Sequence, residues 1–350
     1  MRHRFLASAV GGAALLAFPA TGMADTIDVF PGQSIQHAVR QANRGDTVRV
    51  HEGVYRQSVA IKKNGLTLKG AGSDLDSGTV IKPGGVKRCQ GGSAGICILS
   101  HRAGDGRVRT KNTTIKGFLV RNFEATGVIA VGAKRTTITR NHFANDGEYG
   151  GAAFSSIRTR FAHNLATGNG EAGLYIGDSP HAKAVLRHNK ARGNGSFGFF
   201  LRDAAHGRAL NNTVVHNCLG IGVLNTGAPG GARRWLIQGN TVRKNNKFCK
   251  GEGGGPPTSG TGIGLIGARR TVVRDNSVRN NKPRQPAPFA GGIVVISSKP
   301  FGGTDPANDT IAHNFAFNNQ PADIRWDGTG AHNRFRNNRC NTSQPPGFCS

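Results

Sequence analysis

Between Glu171 and Lys183 the chain reads EAGLYIGDSPHAK, which gathers Glu171, Tyr175, Asp178 and His181 within one short stretch. Carboxylate, phenol and imidazole are groups that take up and return protons, and an arginine brought beside them would hold a substrate carboxylate or stabilise charge growing next to it. The segment GFFLRD, further along, supplies Phe200, Arg202 and Asp203. Asp178 follows Asn164 by fourteen residues and Asp203 follows Asn189 by fourteen, while Tyr175 and Phe200 each follow the same asparagines by eleven. Equal offsets put like beside like if the asparagines mark successive coils. Glu148 and Glu171 stand seven residues after Asn141 and Asn164, with Tyr149 on the same edge. Stacked acids repel unless a cation, a shared proton or a base compensates. The catalytic set read from this pattern is His181, Asp178, Arg202, Asp203 and Tyr175, with Glu148, Tyr149, Glu171 and Phe200 as substrate contacts.

On an acidic sugar polymer such a set fits proton abstraction alpha to a uronate carboxylate. Loss of the glycosidic substituent then makes a lyase, and reprotonation from the opposite face an epimerase. Asp178 and Asp203 could instead serve a glycoside hydrolase as an acid and its partner, a weaker reading because no dense aspartate cluster is present. The acids are compatible with calcium, although the sequence requires no cofactor and fixes no metal ligands. A structural reading competes throughout: Asp178, Asp203 and Ser179-Pro180 suit turns, and His163, His188 and His313 each precede an anchor asparagine as recurring turn residues do. The sequence therefore leaves a catalytic protein and a noncatalytic glycan-binding, cell-envelope or structural protein both open.

The positioning elements are written as a repeat. The anchors Asn141, Asn164, Asn189, Asn212, Asn240, Asn276 and Asn314 recur at intervals of 23, 25, 23, 28, 36 and 38 residues, the longer ones holding GEGGGPPTSG, KPRQPAPF and KPFGGTDPAN as insertions. Five residues after most anchors comes another asparagine, as at Asn169, Asn194, Asn217, Asn245, Asn281 and Asn319, with Asn145 one place early. Asparagine tolerates left-handed turns and hydrogen-bonds backbone groups, so both series are expected to form ladders in a solenoid. Short alternations such as GLYIG and GFFLR direct Leu174, Ile176, Phe199 and Leu201 inward, and Tyr175 and Phe200 outward. Glycine and asparagine interrupt every potential helical face but one, the run from Ser34 to Ala42, which suits a cap over the first coil; ADIRWDG and the Cys340/Cys349 segment suit a cover at the far end.

Basic residues before an apolar run from Leu6 to Ala20, then TGMA, read as a secretory signal over residues 1–24, leaving 25–350 as one domain. A secreted, extracellular and disulfide-bonded protein without membrane insertion is expected, because six cysteines remain, none in a CxxC spacing. Sequential pairing would close three local loops, but spacing does not fix it. Of 46 basic residues, removal of Arg2 and Arg4 leaves 44 against 19 acids, a formal charge of +25 that attracts polyanions. An acidic polysaccharide or cell-wall polymer is the expected partner. Nucleic acid ranks below it, since LRHNKARGNG lacks an interleaved aromatic and basic recognition module. Nothing in the sequence sets an oligomeric state.

The opening GQSIQHAVRQANRGDTVRVHEGVYRQSVAIKKNGLTLKGAG and the NxxxxN turns resemble right-handed parallel β-helix proteins of the pectate-lyase-like superfamily, over about residues 27 to 343. The resemblance implies an all-β, right-handed parallel β-helix solenoid with an N-terminal cap helix; the handedness comes from it alone. It implies no single chemistry, because that solenoid carries lyases, hydrolases, epimerases and binding proteins. DSPH, residues 178 to 181, is similar to the DPHD signature of mannuronan epimerases in Asp178, Pro180 and His181, with Ser179 inserted and Ala182 where the last acid stands.

Overall fold

The structure is a computed structural model that describes residues 24–103, 106–251 and 255–350. The expected signal lies, apart from Ala24, outside the described residues. Among these, three parallel sheets of 12, 11 and 11 strands run the length of the molecule, and each strand pairs with its equivalent one coil away. Sheet 1 runs from Thr26–Val29 to Arg334–Arg336, sheet 2 from Gly53–Gln57 to Arg339–Cys340, and sheet 3 from Val59–Ile61 to Ser343–Gln344. One coil shows the plan: sheet-3 strand Ala172–Ser179, sheet-1 strand Val185–Arg187, sheet-2 strand Lys190–Arg192, then Phe197–Ala204 back in sheet 3. The β-helix expected from the repeat is the fold that forms.

Two residues separate a sheet-1 strand from its sheet-2 successor, so the corner must be sharp. The first residue takes positive φ, as at His163 (55°), His188 (52°) and His313 (55°), which makes these histidines turn residues. The second is the anchor asparagine, and its side chain replaces the ladder hydrogen bonds that the corner interrupts. Asn189 shows the pattern: its Oδ1 accepts from the backbone N–H and Nδ2 of Asn164, both at 3.0 Å, while its Nδ2 donates to Phe161 O (3.0 Å) and Asn212 Oδ1 (3.1 Å). The row runs from Asn141 to Asn338, one rung beyond the expected anchors. The second row corrects the sequence reading at its start. Asp146, not Asn145, occupies the rung: Asp146 N–H donates to Asn169 Oδ1 (3.1 Å), whereas Asn145 is exposed at φ 57°.

The core is a column of buried aliphatic and phenylalanine side chains, including Leu174, Ile176, Phe199 and Leu201. A helix, Ile35–Gln41, closes one end; Ser34 caps it by accepting from His37 N–H, and Ile35, Ala38 and Val39 are buried. A strand not foreseen from the sequence, Thr26–Val29, precedes that helix and pairs with Thr47–Val50. At the other end Trp326, Phe335 and Phe348 pack over the column, with the Phe335 and Phe348 rings stacked at 4.0 Å. The cysteines pair sequentially, Cys89–Cys97, Cys218–Cys249 and Cys340–Cys349.

Candidate functional site: an aromatic cleft on the outer face of sheet 3

Sheet 3 carries a second apolar layer on its outside. In register, one outer row reads Ile129, Ala152, Tyr175, Phe200, Gly222, Gly264, Val294 and Arg325 across successive coils. Bulk rises to Tyr175 and Phe200 and then drops to two glycines, so the sheet surface falls away beside Phe200. Phe197 covers part of the step, stacked on Phe200 at 4.1 Å and nearly parallel. The result is a cleft of about 540 Å³ walled by Phe197 and Phe200 on one side and by Phe289 and Phe301 on the other.

The next outer row reads Leu99, Val131, Phe154, Gly177, Arg202, Leu224, Ile266 and Ile296. Arg202 is its one charge, about half exposed and lining the cleft. Lys250 adds a second cation and Glu171 an acid. Lys250 comes from an insertion whose stem is fixed by the Cys218–Cys249 disulfide, by paired backbone bonds between Cys249 and Thr258 (2.9 and 3.0 Å), and by Lys247 Nζ donating to Asn194 O (2.8 Å). The opposite rim, around Ser298, is tied down by Ser298 Oγ donating to Asn225 O at 2.6 Å.

The sequence-derived residues separate into distinct settings. Arg202, Phe200 and Glu171 line the cleft. Tyr175 points outward from the core as expected but is only 1% exposed, packed between Phe154, Tyr149 and Phe200 (ring centroids 4.7, 4.5 and 5.4 Å). Burial raises the Tyr175 phenol above its ordinary value, with the Asp178 charge adding to the effect. Tyr149 is also raised, first by burial and then by Glu171, to which it is hydrogen-bonded. Glu148 and Glu171 occupy neighbouring coils, Glu171 N–H donating to Glu148 O at 2.8 Å, and Glu148 is exposed.

Asp178 and Asp203 hold equivalent corners, at φ 48° and 45°, between the register pairs Gly177/Arg202 and Ser179/Ala204. Their surroundings differ. Asp178 is exposed, whereas Asp203 is 2% exposed and accepts from Thr226 N–H (2.9 Å) and Thr226 Oγ1 (2.6 Å), anchoring the start of the 225–231 loop. His181 is exposed in the turn leading to sheet 1, close enough to His206 for their charges to interact, and does not line the cleft. The structure thus brings Arg202 to the cleft with Tyr175 beneath it, but not Asp203 or His181. Lys250, Phe289, Phe301 and Phe197 were missed. Phe197 sits inside the repeat as GSFGFF and was legible; the other three lie in or beside insertions without repeat register. Among the described residues, no three of His, Cys, Asp and Glu gather closely enough to hold a metal ion, and no helix is long and apolar enough to cross a membrane.

The family described as right handed beta helix region matches residues 64–234. No curated protein matches the sequence. Among solved structures, the A-module of the Azotobacter vinelandii mannuronan C-5 epimerase AlgE6 is similar at 16% identity and a TM-score of 0.61, over 88% of each chain. The catalytic unit of a GH87 alpha-1,3-glucanase from Streptomyces thermodiastaticus is similar at 14% identity and 0.60, over 97% of this chain and 68% of the other. PfbA, a surface adhesin of Streptococcus pneumoniae, is similar at 13% identity and 0.56, over 88% and 87%. Three such different proteins share one architecture, so the likeness speaks to fold. With three parallel sheets, two corner ladders and this match over residues 64–234, the chain has the fold of a right-handed parallel β-helix solenoid.

Proposed function

We propose that the chain is a secreted carbohydrate-active protein that takes an acidic glycan in the cleft on sheet 3. The observation that carries this reading is Arg202, a single cation in an eight-coil row otherwise built of apolar residues and glycine, placed at the edge of an aromatic cleft. Its Nε lies 3.6 Å from the buried Asp203 carboxylate, and the half-exposed guanidinium has further N–H donors for a uronate carboxylate. Phe197, stacked over the buried Phe200, offers its ring to the flat face of a sugar, and Lys250 offers a second contact to negative charge. The epimerase and glucanase that share the fold act on polysaccharides by their names, in keeping with this reading.

The test is calorimetric titration of the purified protein with uronate trisaccharides and a neutral trisaccharide, beside Arg202→Leu. Leucine matches Leu224, the next residue in the row, so the fold is retained. The expected result is binding of the acidic ligand alone and a loss of at least tenfold in the variant. Equal binding of neutral and acidic sugars, or an unaffected variant, would overturn the proposal.

A lyase or epimerase activity is supported by the hydrogen bond between Tyr149 and Glu171. A phenol held protonated against a carboxylate at the cleft edge is a proton donor and acceptor in contact, and Arg202 can neutralise the uronate while its alpha proton leaves. Departure of the glycosidic oxygen with a proton gives an unsaturated chain end; return of a proton to the opposite face gives the epimer. Ultraviolet absorbance on alginate, pectate and hyaluronan, with proton NMR of the recovered polymer, reads both outcomes with calcium and with chelator. Glu171→Gln should abolish either signal and leave trisaccharide binding within about threefold. No signal from the parent protein on any of these polymers rejects the catalytic reading.

A further inference from the structure

The corner between sheets 3 and 1 carries a column that neither the cleft nor the packing accounts for. Successive coils place Arg135, Arg158, Lys183, His206, Arg234 and Arg270 at one position, each with positive φ between 46° and 65°. The register is fixed by backbone bonds: Arg135 N–H donates to Ile157 O, Arg158 to Ala182 O, Lys183 to Ala205 O, His206 to Arg233 O, Arg234 to Arg269 O and Arg270 to Ala307 O, at 2.6 to 3.2 Å. A left-handed corner favours Gly or Asn. The corresponding column after sheet 2 obeys that preference, with Asn122, Asn145, Gly168, Gly193, Asn280 and Asn318 interrupted only by His216 and Lys244. Backbone conformation therefore does not select six consecutive basic or imidazole side chains.

Their surroundings are also cationic. Arg160 and Arg208 flank the column on sheet 1, and together with Arg135, Arg158 and Lys183 they line one concavity of about 390 Å³. The strip continues into a second, of about 490 Å³, lined by Arg233, Arg269 and Arg270 with no acid among its lining residues. Arg233 Nε is buried there without a hydrogen-bond partner. None of the ion pairs among the described residues involves a member of the column. His206 shows the result: burial lowers its affinity for a proton, and the charges of Arg234, Arg233 and Lys183 lower it further. Cations stacked at strand spacing repel one another, and an anionic ligand removes that cost.

We infer that this strip is a second binding surface, separate from the cleft, for a linear anionic polysaccharide lying along the solenoid axis. Five intervals of ~4.8 Å extend over roughly 24 Å, with one basic or imidazole side chain per coil. A pyranose linked across its ring advances by about one coil, so one charge per sugar meets one rung. Duplex DNA carries one charge per ~1.7 Å of its axis and does not keep that register. The choice of an acidic glycan as the polymer rests on the cleft reading; the existence of the strip does not.

The variant Arg135→Asn/Arg158→Asn/Lys183→Asn places at three rungs the residue that the chain itself uses at Asn112 and Asn308, which extend the column at φ 57° and 58°. Its melting temperature should match the parent's. Binding of long polygalacturonate, of its trisaccharide and of duplex DNA is followed by fluorescence anisotropy across a salt series. The expected result is at least a tenfold loss of polygalacturonate affinity at low salt and a shallower salt dependence by about three charges, with trisaccharide binding unchanged. Arg234→Asn/Arg270→Asn repeats the test if the first variant melts early. Parental polymer affinity and salt slope in a folded variant overturn the strip. Tighter binding of duplex DNA than of polygalacturonate, lost in the variant, overturns the glycan as its ligand. Absence of trisaccharide binding beside a strip effect rejects the cleft reading and leaves the strip standing.

Discussion

The row through Asn189 and the row through Phe200 cross the same coils, one at the corner between sheets 1 and 2, the other on the outer face of sheet 3. The first stays asparagine at every rung from Asn141 to Asn338. The second passes through Ile129, Ala152, Tyr175, Phe200, Gly222 and Gly264. At the corner, each side chain must accept from the rung before and donate to the rung after, and one residue type does both at that length. On the outer face the backbone bonds are already complete within the sheet, so side chains there are free to vary in size and charge. Repetition thus secures the frame, and departure from repetition makes the cleft.

The sharpest way to break this contrast is to remove a rung. Asn189→Ala leaves the buried backbone N–H of Asn164 without its acceptor and takes one side-chain bond each from Asn164 Nδ2, Phe161 O and Asn212 Oδ1, although Asn164 Nδ2 keeps Ile138 O and Asn212 Oδ1 keeps the backbone N–H of residue 189. At about 1 to 3 kcal/mol for a stranded buried group, and less for one that keeps another partner, the loss should reach about 2 to 4 kcal/mol. Denaturant unfolding measures it, and a loss below ~1 kcal/mol would mean that water satisfies the ladder.

The second prediction concerns the cleft wall. The Cys218–Cys249 bridge closes a 31-residue separation and fastens the insertion that carries Lys250. In the chain-entropy account such a loop is worth about 3.7 kcal/mol. Cys218→Ala/Cys249→Ala should lose about that much and weaken trisaccharide binding severalfold, because the wall loses its stem. An unchanged affinity would show that the cleft does not use this wall.

What the sequence made legible follows the same division. The ladders, the inward set around Leu174 and Phe199, and the Ser34-capped helix could be read because each obeys a count or a pattern imposed by the backbone. The equivalence of Asp178 and Asp203 was legible for that reason too. Their different fates were not, since only Asp203 lies under Thr226, in a loop outside the repeat. Phe289, Phe301 and Lys250 reach the cleft from segments whose register no repeat supplies. Asp146 keeps the count of five from Asn141 but not the residue type, so the count marks a rung more reliably than asparagine itself.

That Asp146 carries the smallest expected effect. Its row begins and ends in aspartate, and the two ends have different needs. At the last rung Asp323 only accepts, from Asn319 through Oδ1 and from Asn341 and Thr342 N–H through Oδ2. At the first rung Asp146 Oδ1 accepts from Phe123 N–H, but Oδ2 stands where each asparagine rung has a donating Nδ2, and it is buried without a partner. A proton on Oδ2 restores the missing donor. Burial holds this carboxyl well above its ordinary value, against the lowering effects of Phe123 N–H and Arg121. Asp309, fully buried, has the same form: Oδ1 accepts from Thr271 N–H, Oδ2 is unpaired, and burial pushes it up to about 8. Both bind a proton more tightly folded than unfolded. Their contribution is therefore complete below an ordinary carboxyl value of ~4 and fades as pH rises through the folded values, to about 8 for Asp309. His163, His206 and His216 are shifted down, first by burial, and act in the opposite sense near pH 6, so the comparison belongs between pH 7 and 9. Asp146→Asn/Asp309→Asn supplies amide donors that do not titrate. It should gain about 1 to 2 kcal/mol at the alkaline end and flatten the fall of the melting temperature with pH. Parallel pH profiles for parent and variant would show that the first rung needs no proton, and that the two ends of the row are alike.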